Sequence, residues 1–109
     1  MRQKSGVTDL MIAAWLGNKL EVLKYLEQAG KQALYGETAF VFAAINDNVE
    51  CGELLAPSEA SIRDQNGLSA VDYAKALKSI NFVRAFEGVE QHVKNTNESV
   101  AKKAAQPDP

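Results

Sequence analysis

A glycine followed two residues later by a hydroxyl side chain, with small residues at fixed offsets beyond it, occurs three times in phase along this chain. The segments are GVTDLMIAA from Gly6, GETAFVFAA from Gly36 and GLSAVDYAK from Gly67. The glycines stand 30 and 31 residues apart, and twelve residues after each comes a type that favours a helix start: Asn18, Asn48 and Ser79. A period of this size is the mark of stacked supersecondary units, none of which can bury its apolar face alone. It also directs the search for function toward a surface that binds rather than a pocket that reacts.

Each unit reads as turn, helix, short corner, helix. The leading glycine allows a turn with positive φ, where a Cβ would be penalised. Thr8, Thr38 and Ser69 then offer an oxygen to the free amides of the first helix, and Asn18, Asn48 and Ser79 are expected to cap the second. The first helices carry Leu10, Ile12 and Ala13, then Phe40, Phe42 and Ala43, then Val71, Tyr73 and Ala74. The second helices carry Leu20, Val22, Leu23 and Leu26, then Val49, Cys51, Leu54 and Leu55, then Ile80, Phe82, Val83 and Phe86. At helical spacing all of these are expected in the core. Gly30 fits a left-handed residue just past a helix, and Pro57 is expected to mark the end of the second helix pair. The fold class is all-α, a solenoid of paired antiparallel helices.

These residues resemble the ankyrin repeat, whose pattern runs G-x-T-P-L-H-x-A-A-x-x-G-H before an outer helix rich in Val and Leu. The first unit matches at Gly6, Thr8, Leu10, Ala13, Ala14, Gly17 and Asn18. The second matches at Gly36, Thr38, Phe40, Ala43, Ala44, Asn48, Glu50, Leu54 and Leu55. The third keeps Gly67, Ser69, Val71, Ala74 and Ser79 and has drifted most, as a terminal repeat would. Asp9, Ala39 and Ala70 replace the family's proline, and Met11, Val41 and Asp72 its histidine. These departures bear on the turn geometry more than on the fold. The first outer helix reads as carrying one extra residue near Lys19. The resemblance covers roughly residues 4–87, with repeats at about 6–35, 36–66 and 67–87. Residues 88–109 then read as a loosely ordered or partly helical C-terminal extension.

The totals exclude several functions. A net charge of −2 lacks the basic footprint that capture of nucleic acid or an anionic membrane requires. No apolar run approaches the ~20 residues needed to span a bilayer. Arg2 and Lys4 ahead of residues 10–16 faintly suggest a secretory signal, but the same run recurs at residues 39–45, where it cannot be one. One cysteine permits no intrachain disulfide, which fits a reducing, cytoplasmic setting. The parts of a catalytic site are sparse. His92 is the only histidine, and Cys51 the only thiol, on an apolar stripe. One of each cannot furnish a soft-ligand zinc site. The expectation is no enzyme activity, no metal and no cofactor.

The resemblance implies where a partner would sit. Ankyrin repeats usually grip proteins with the turn tips and the exposed concave side of the inner helices. Carried over, those positions are Val7, Trp15 and Leu16; Glu37, Ile45 and Asn46; and Leu68, Ala76 and Leu77. Several are apolar where solvent favours polar side chains, and Trp is enriched among interface hot spots. Either a protein partner covers this stripe or the chain itself does. Lys4, Glu37 and Arg63 would add charge selectivity at the tips. The first unit begins almost at Met1, so its open face, with Met11 and Leu23, is expected to lack a preceding cap. That points to a marginal domain, to self-association or to a piece of a longer array. The function implied is a protein-binding module, with Trp15, Ile45 and Leu77 as anchors. The alternative is a capping end of a larger scaffold or the regulatory arm of an enzyme.

Overall fold

The computed structural model describes residues 6–88. They form six α-helices: α1 (Asp9–Leu16), α2 (Lys19–Lys24), α3 (Ala39–Ile45), α4 (Val49–Glu59), α5 (Ala70–Leu77) and α6 (Ile80–Phe86), with a 3-10 turn at Leu26–Gln28 after α2. The inner helices α1, α3 and α5 pack side by side in chain order, and α2, α4 and α6 form the outer layer behind them. Expectations placed on Lys4, His92 and residues 89–109 lie outside the described residues.

The inner helices start as the hydroxyl residues dictate. Thr8, Thr38 and Ser69 accept hydrogen bonds from the backbone N–H of Met11, Val41 and Asp72 at 3.1–3.3 Å. Asp72 returns the bond to the Ser69 amide at 2.8 Å, closing a reciprocal cap. A second acceptor reaches each of the first two inner helices from the end of its own outer helix. Gln28 takes the Leu10 N–H at 2.9 Å, and Glu59 takes the Phe40 N–H at 2.8 Å. The Ala33 N–H donates to the Glu37 carbonyl, and the Asp64 N–H to the Leu68 carbonyl, so both connecting turns close alike without the family's proline. Gly36 is required at the first of them. Its φ is +93°, and a Cβ there would sit 2.6 Å from the Gln65 backbone nitrogen of the next turn. That close approach lets the Gln65 N–H reach the Tyr35 carbonyl at 3.0 Å.

The core runs along the layer boundary: Leu10, Phe40 and Val71 from the inner helices, Val22, Cys51, Leu55, Phe82 and Phe86 from the outer ones. An aromatic cluster lies between the second and third repeats. Phe40, Phe82 and Phe86 form a triangle with centroid separations of 4.5–5.1 Å. Two of these rings lie against bare backbone at Gly52, where a Cβ would fall 2.8 Å from both.

Several expectations are corrected. Asn48 and Ser79 hold the N-cap positions of α4 and α6, yet neither side chain caps its own helix. Asn48 instead donates to the Ala14 and Trp15 carbonyls at 2.8 and 3.0 Å, and the Ser79 hydroxyl reaches the Ile45 carbonyl. Only Asn18 behaves as expected, taking the Glu21 N–H. Pro57 does not end the second pair, because α4 continues through it to Glu59. Proline forfeits a helical hydrogen bond, but Glu59 is buried and doubly hydrogen-bonded, and Ala60 beyond it is buried too, which holds the last turn in place.

Met11 is buried rather than exposed on an open face. Leu20, Leu23 and Ile80, expected in the core, point outward, and Ile12 is partly exposed. By glycine count Ile12 and Ile80 correspond to Phe42 and Val49, which are half-buried in the middle repeat, whereas Leu20 and Leu23 correspond to Glu50 and Glu53, which are exposed there too. The first outer helix keeps Asn18 in phase as its cap. Its first buried residue, Val22, comes four residues after the cap, against three for Cys51 and Phe82. The extra residue turns the helix face, and the helix gives way to the 3-10 turn after Lys24 and Tyr25.

Candidate partner-binding site

Val7, Trp15 and Leu16, expected at the concave surface, come together in one cleft of about 180 Å³. Met11, Ile12 and Phe42 complete its wall, which is almost wholly apolar. The cap at Thr8 sets the phase of α1, so that Ile12, Trp15 and Leu16 share one side, as residues three and four apart must. Phe42 on α3 supplies the far wall. Its ring meets Trp15 edge to face with centroids 5.9 Å apart, a favoured aromatic geometry. Trp15 remains 44% exposed and Leu16 69% exposed. Ile12 and Phe42 were assigned to the core stripe. Their place in the cleft follows from being first and second in a short array, which no local pattern encodes.

The remaining expected residues are spread along the same succession of helices and turns. Ile45, the counterpart of Trp15 one repeat on, is half-buried against the core. Asn46, the counterpart of Leu16, is exposed and donates to the Trp15 carbonyl at 2.7 Å. Its amide is thus engaged in holding α3 to α1. Glu37 accepts the Tyr35 N–H at 3.0 Å and braces its own turn. Leu68, Ala76 and Leu77 are exposed in the third repeat, outside the cleft. The turn tips add Leu34 and Tyr35, both largely exposed, which the repeat pattern did not single out because they lie outside its fixed positions.

The ionisable groups with shifted protonation belong to the scaffold. Burial pushes the Glu59 carboxyl up, while the Gly30 and Phe40 amides that donate to it oppose the rise. Burial would also raise Asp64, but hydrogen bonds from the Tyr73 hydroxyl and from the Leu68, Asn66 and Gly67 amides outweigh it and hold Asp64 below the usual carboxylate range. The Tyr73 phenol, partly buried and donating to Asp64, is pushed up to about 12. One repeat earlier the same two positions are Ala33 and Phe42, so the polar pair of the second turn stands where the first has an apolar one. Burial raises the Cys51 thiol, the neighbouring Glu50 raises it further, and Lys19 opposes both. A thiol so held is a poor nucleophile. Among the described residues, no cluster of three His, Cys, Asp or Glu side chains is arranged to hold a metal ion. No helix among them is long and apolar enough to cross a membrane.

No curated protein sequence matches the chain. The family described as ankyrin repeats (3 copies) does match, over residues 10–97, which takes in all six helices except the first residue of α1. Glycine turns, hydroxyl caps, paired helices and the family match agree: the chain belongs to the ankyrin-repeat family, whose members are generally protein–protein interaction modules.

Proposed function

We propose that this chain binds a protein partner through the cleft around Trp15, without catalysing a reaction. The observation that supports this is a half-exposed tryptophan backed by Phe42 and flanked by Val7, Ile12 and Leu16, with hardly a polar atom in the wall. Such a surface gains free energy by taking up an apolar side chain and releasing water, at roughly 25 cal/mol per Å² buried. The partner chemistry that fits is a segment offering one or two aromatic or aliphatic anchors. Ile45, Leu68 and Leu77 extend the contact along the array, and Glu37 and Asn46 add polar contacts at its edge. A cytoplasmic setting fits the buried, unpaired Cys51.

The test is selection of peptides from a random displayed library against the whole chain, followed by titration with Trp15 emission as the signal. Trp15 is the single tryptophan, so the signal has one source. Selected peptides should carry an apolar anchor, shift the Trp15 emission to the blue and lose at least tenfold in affinity with Trp15→Ala, about 1.4 kcal/mol. Binders indifferent to Trp15→Ala would show that the site lies elsewhere. A second reading, a capping end of a larger scaffold, draws on the exposed Leu20 and Ile80 at the two ends of the array.

A further inference from the structure

The two ends of the array match each other in register. Counting from the repeat glycines, Lys19, Val49 and Ile80 are equivalent, as are Leu20, Glu50 and Asn81, and Gly17, Asp47 and Lys78. Inside the array these positions make the junctions between repeats. Lys19 of the first repeat pairs with Glu50 of the second at 3.6 Å. Asp47 of the second accepts the Phe82 N–H of the third at 2.7 Å and the Asn81 amide at 3.0 Å. At the outer ends the same positions are filled differently. Ile80 stands where Lys19 would donate, and it is 56% exposed; Leu20 stands where Glu50 would accept, and it is 76% exposed.

The charges match in the same way. Among the described residues, the end face of the third repeat is bordered by Lys78 and Arg84 around Ile80 and Val83, with Lys75 beside them paired to Glu87 at 3.1 Å. That of the first is bordered by Glu21 beside Ile12 and Leu16. Lys78 holds the left-handed conformation of Asp47, with φ of +62° against +59°. Glu21 stands at the same count from its repeat glycine as Phe82, next to Val22, which takes the buried place of Phe82. Continuing the stack by one repeat therefore brings Lys78 of one copy to Glu21 of the next, and Ile80 to Leu20. Asn18 takes the place of Asn48, whose amide reaches the carbonyls of the preceding inner helix; the counterparts of those carbonyls are on Lys75 and Ala76.

From this registered pairing of apolar and opposite charges we propose that the occupant of each end face is a second copy of this chain, stacked head to tail so that the solenoid runs on from copy to copy. The interface is heterologous, and a stack that continues the solenoid leaves both outer ends free, so it grows with concentration rather than stopping at a dimer. This goes beyond binding at the Trp15 cleft, and the two are separable: Trp15→Ala weakens peptide binding, whereas Leu20→Lys weakens stacking.

Sedimentation velocity of the full chain, from low micromolar to near millimolar, reads the outcome. Wild type should show a weight-average mass that rises throughout. Leu20→Lys sets a like charge against Lys78 and Arg84 and blocks one end, and Ile80→Glu blocks the other; both sites face solvent in the single chain, and circular dichroism should show both variants folded. Each alone should be monomeric, and an equimolar mixture should give at least a one-to-one dimer. Lys78→Glu and Glu21→Lys should each weaken stacking about tenfold, and both substitutions in one chain should restore it. A wild-type chain that stays monomeric at every concentration overturns the proposal, whether residues 89–109 or another protein covers the Ile80 face. So does a dimer formed by one variant alone, which would mean like faces meeting.

Discussion

The junction between the first and second repeats carries more polar cross-links, whereas that between the second and third carries the cluster of phenylalanine rings. At the first, Asn46 and Asn48 donate to carbonyls at the end of α1, Lys19 pairs with Glu50, and the Glu59 carboxylate reaches back to the Gly30 amide. At the second, Phe82 and Phe86 lie against Gly52 with Phe40 beside them, Asp47 caps α6, and the Ser79 hydroxyl donates to the Ile45 carbonyl. One backbone arrangement is thus held in two ways. Polar stitching fixes orientation, but each bond exchanges protein for water and adds little net stability, about 1 kcal/mol. Ring packing supplies more free energy and demands a matching hollow, here the missing side chain of Gly52.

The sharpest way to break this contrast is Phe82→Ala. It empties the centre of the packed junction and should cost about 3–5 kcal/mol, read as a lower urea midpoint by circular dichroism. A cost below that of any single change at the stitched junction would invert the comparison.

Next is Glu59→Ala, which leaves the Gly30 and Phe40 amides without their acceptor at about 1–3 kcal/mol for each group left buried. This site also carries a pH signature. Its folded carboxyl is held above its usual 4.5 by burial, so below that value it is protonated in both states and its contribution is complete. As pH rises from 4.5 through the folded value, the unfolded chain ionises first and that contribution is lost. The stability gap between wild type and Glu59→Gln should therefore narrow on going from acid to neutral pH. A gap that widened would mean the two amides outweigh burial.

Asp47→Ala should cost about 1–2 kcal/mol, the usual price of a lost cap, and Asp47→Gly less, because glycine relieves the positive φ. Comparing the two by thermal melting separates cap from strain. The smallest change is Lys78→Gly. It removes the same left-handed strain where no described repeat follows, and roughly 0.5 kcal/mol of stabilisation should remain after glycine's own entropy cost.

How much of this could be read from the residues depends on how local each cause is. The Thr8, Thr38 and Ser69 caps act within three residues of themselves, and the helices begin where they dictate. Asn48 illustrates the opposite case. The same side chain can cap its own helix, as Asn18 does, or cross to the preceding repeat. The choice depends on where the Ala14 and Trp15 carbonyls lie, a fact of packing. Pro57 misleads for a similar reason: the turn after it is held by what Glu59 reaches, 19 and 29 residues away in sequence. Ile12 and Phe42 could not be moved from core to cleft without knowing which repeat has a neighbour. Asp47 gave a weak signal, an acid at a position the family fills with glycine, and that departure is where a junction cap could have been sought.

Asp47 has a consequence for how such arrays can be cut and rejoined. Its carboxylate belongs by sequence to the second repeat but completes a helix of the third. Asn48, its neighbour, serves the first. A recombination point drawn at the glycine turns would hand the third repeat to a new neighbour without the group that terminates α6. The transplantable unit is therefore staggered by half a repeat: it is the joint that must be inherited whole, and a grafted third repeat keeps its outer helix only if the donor's Asp47 travels with it.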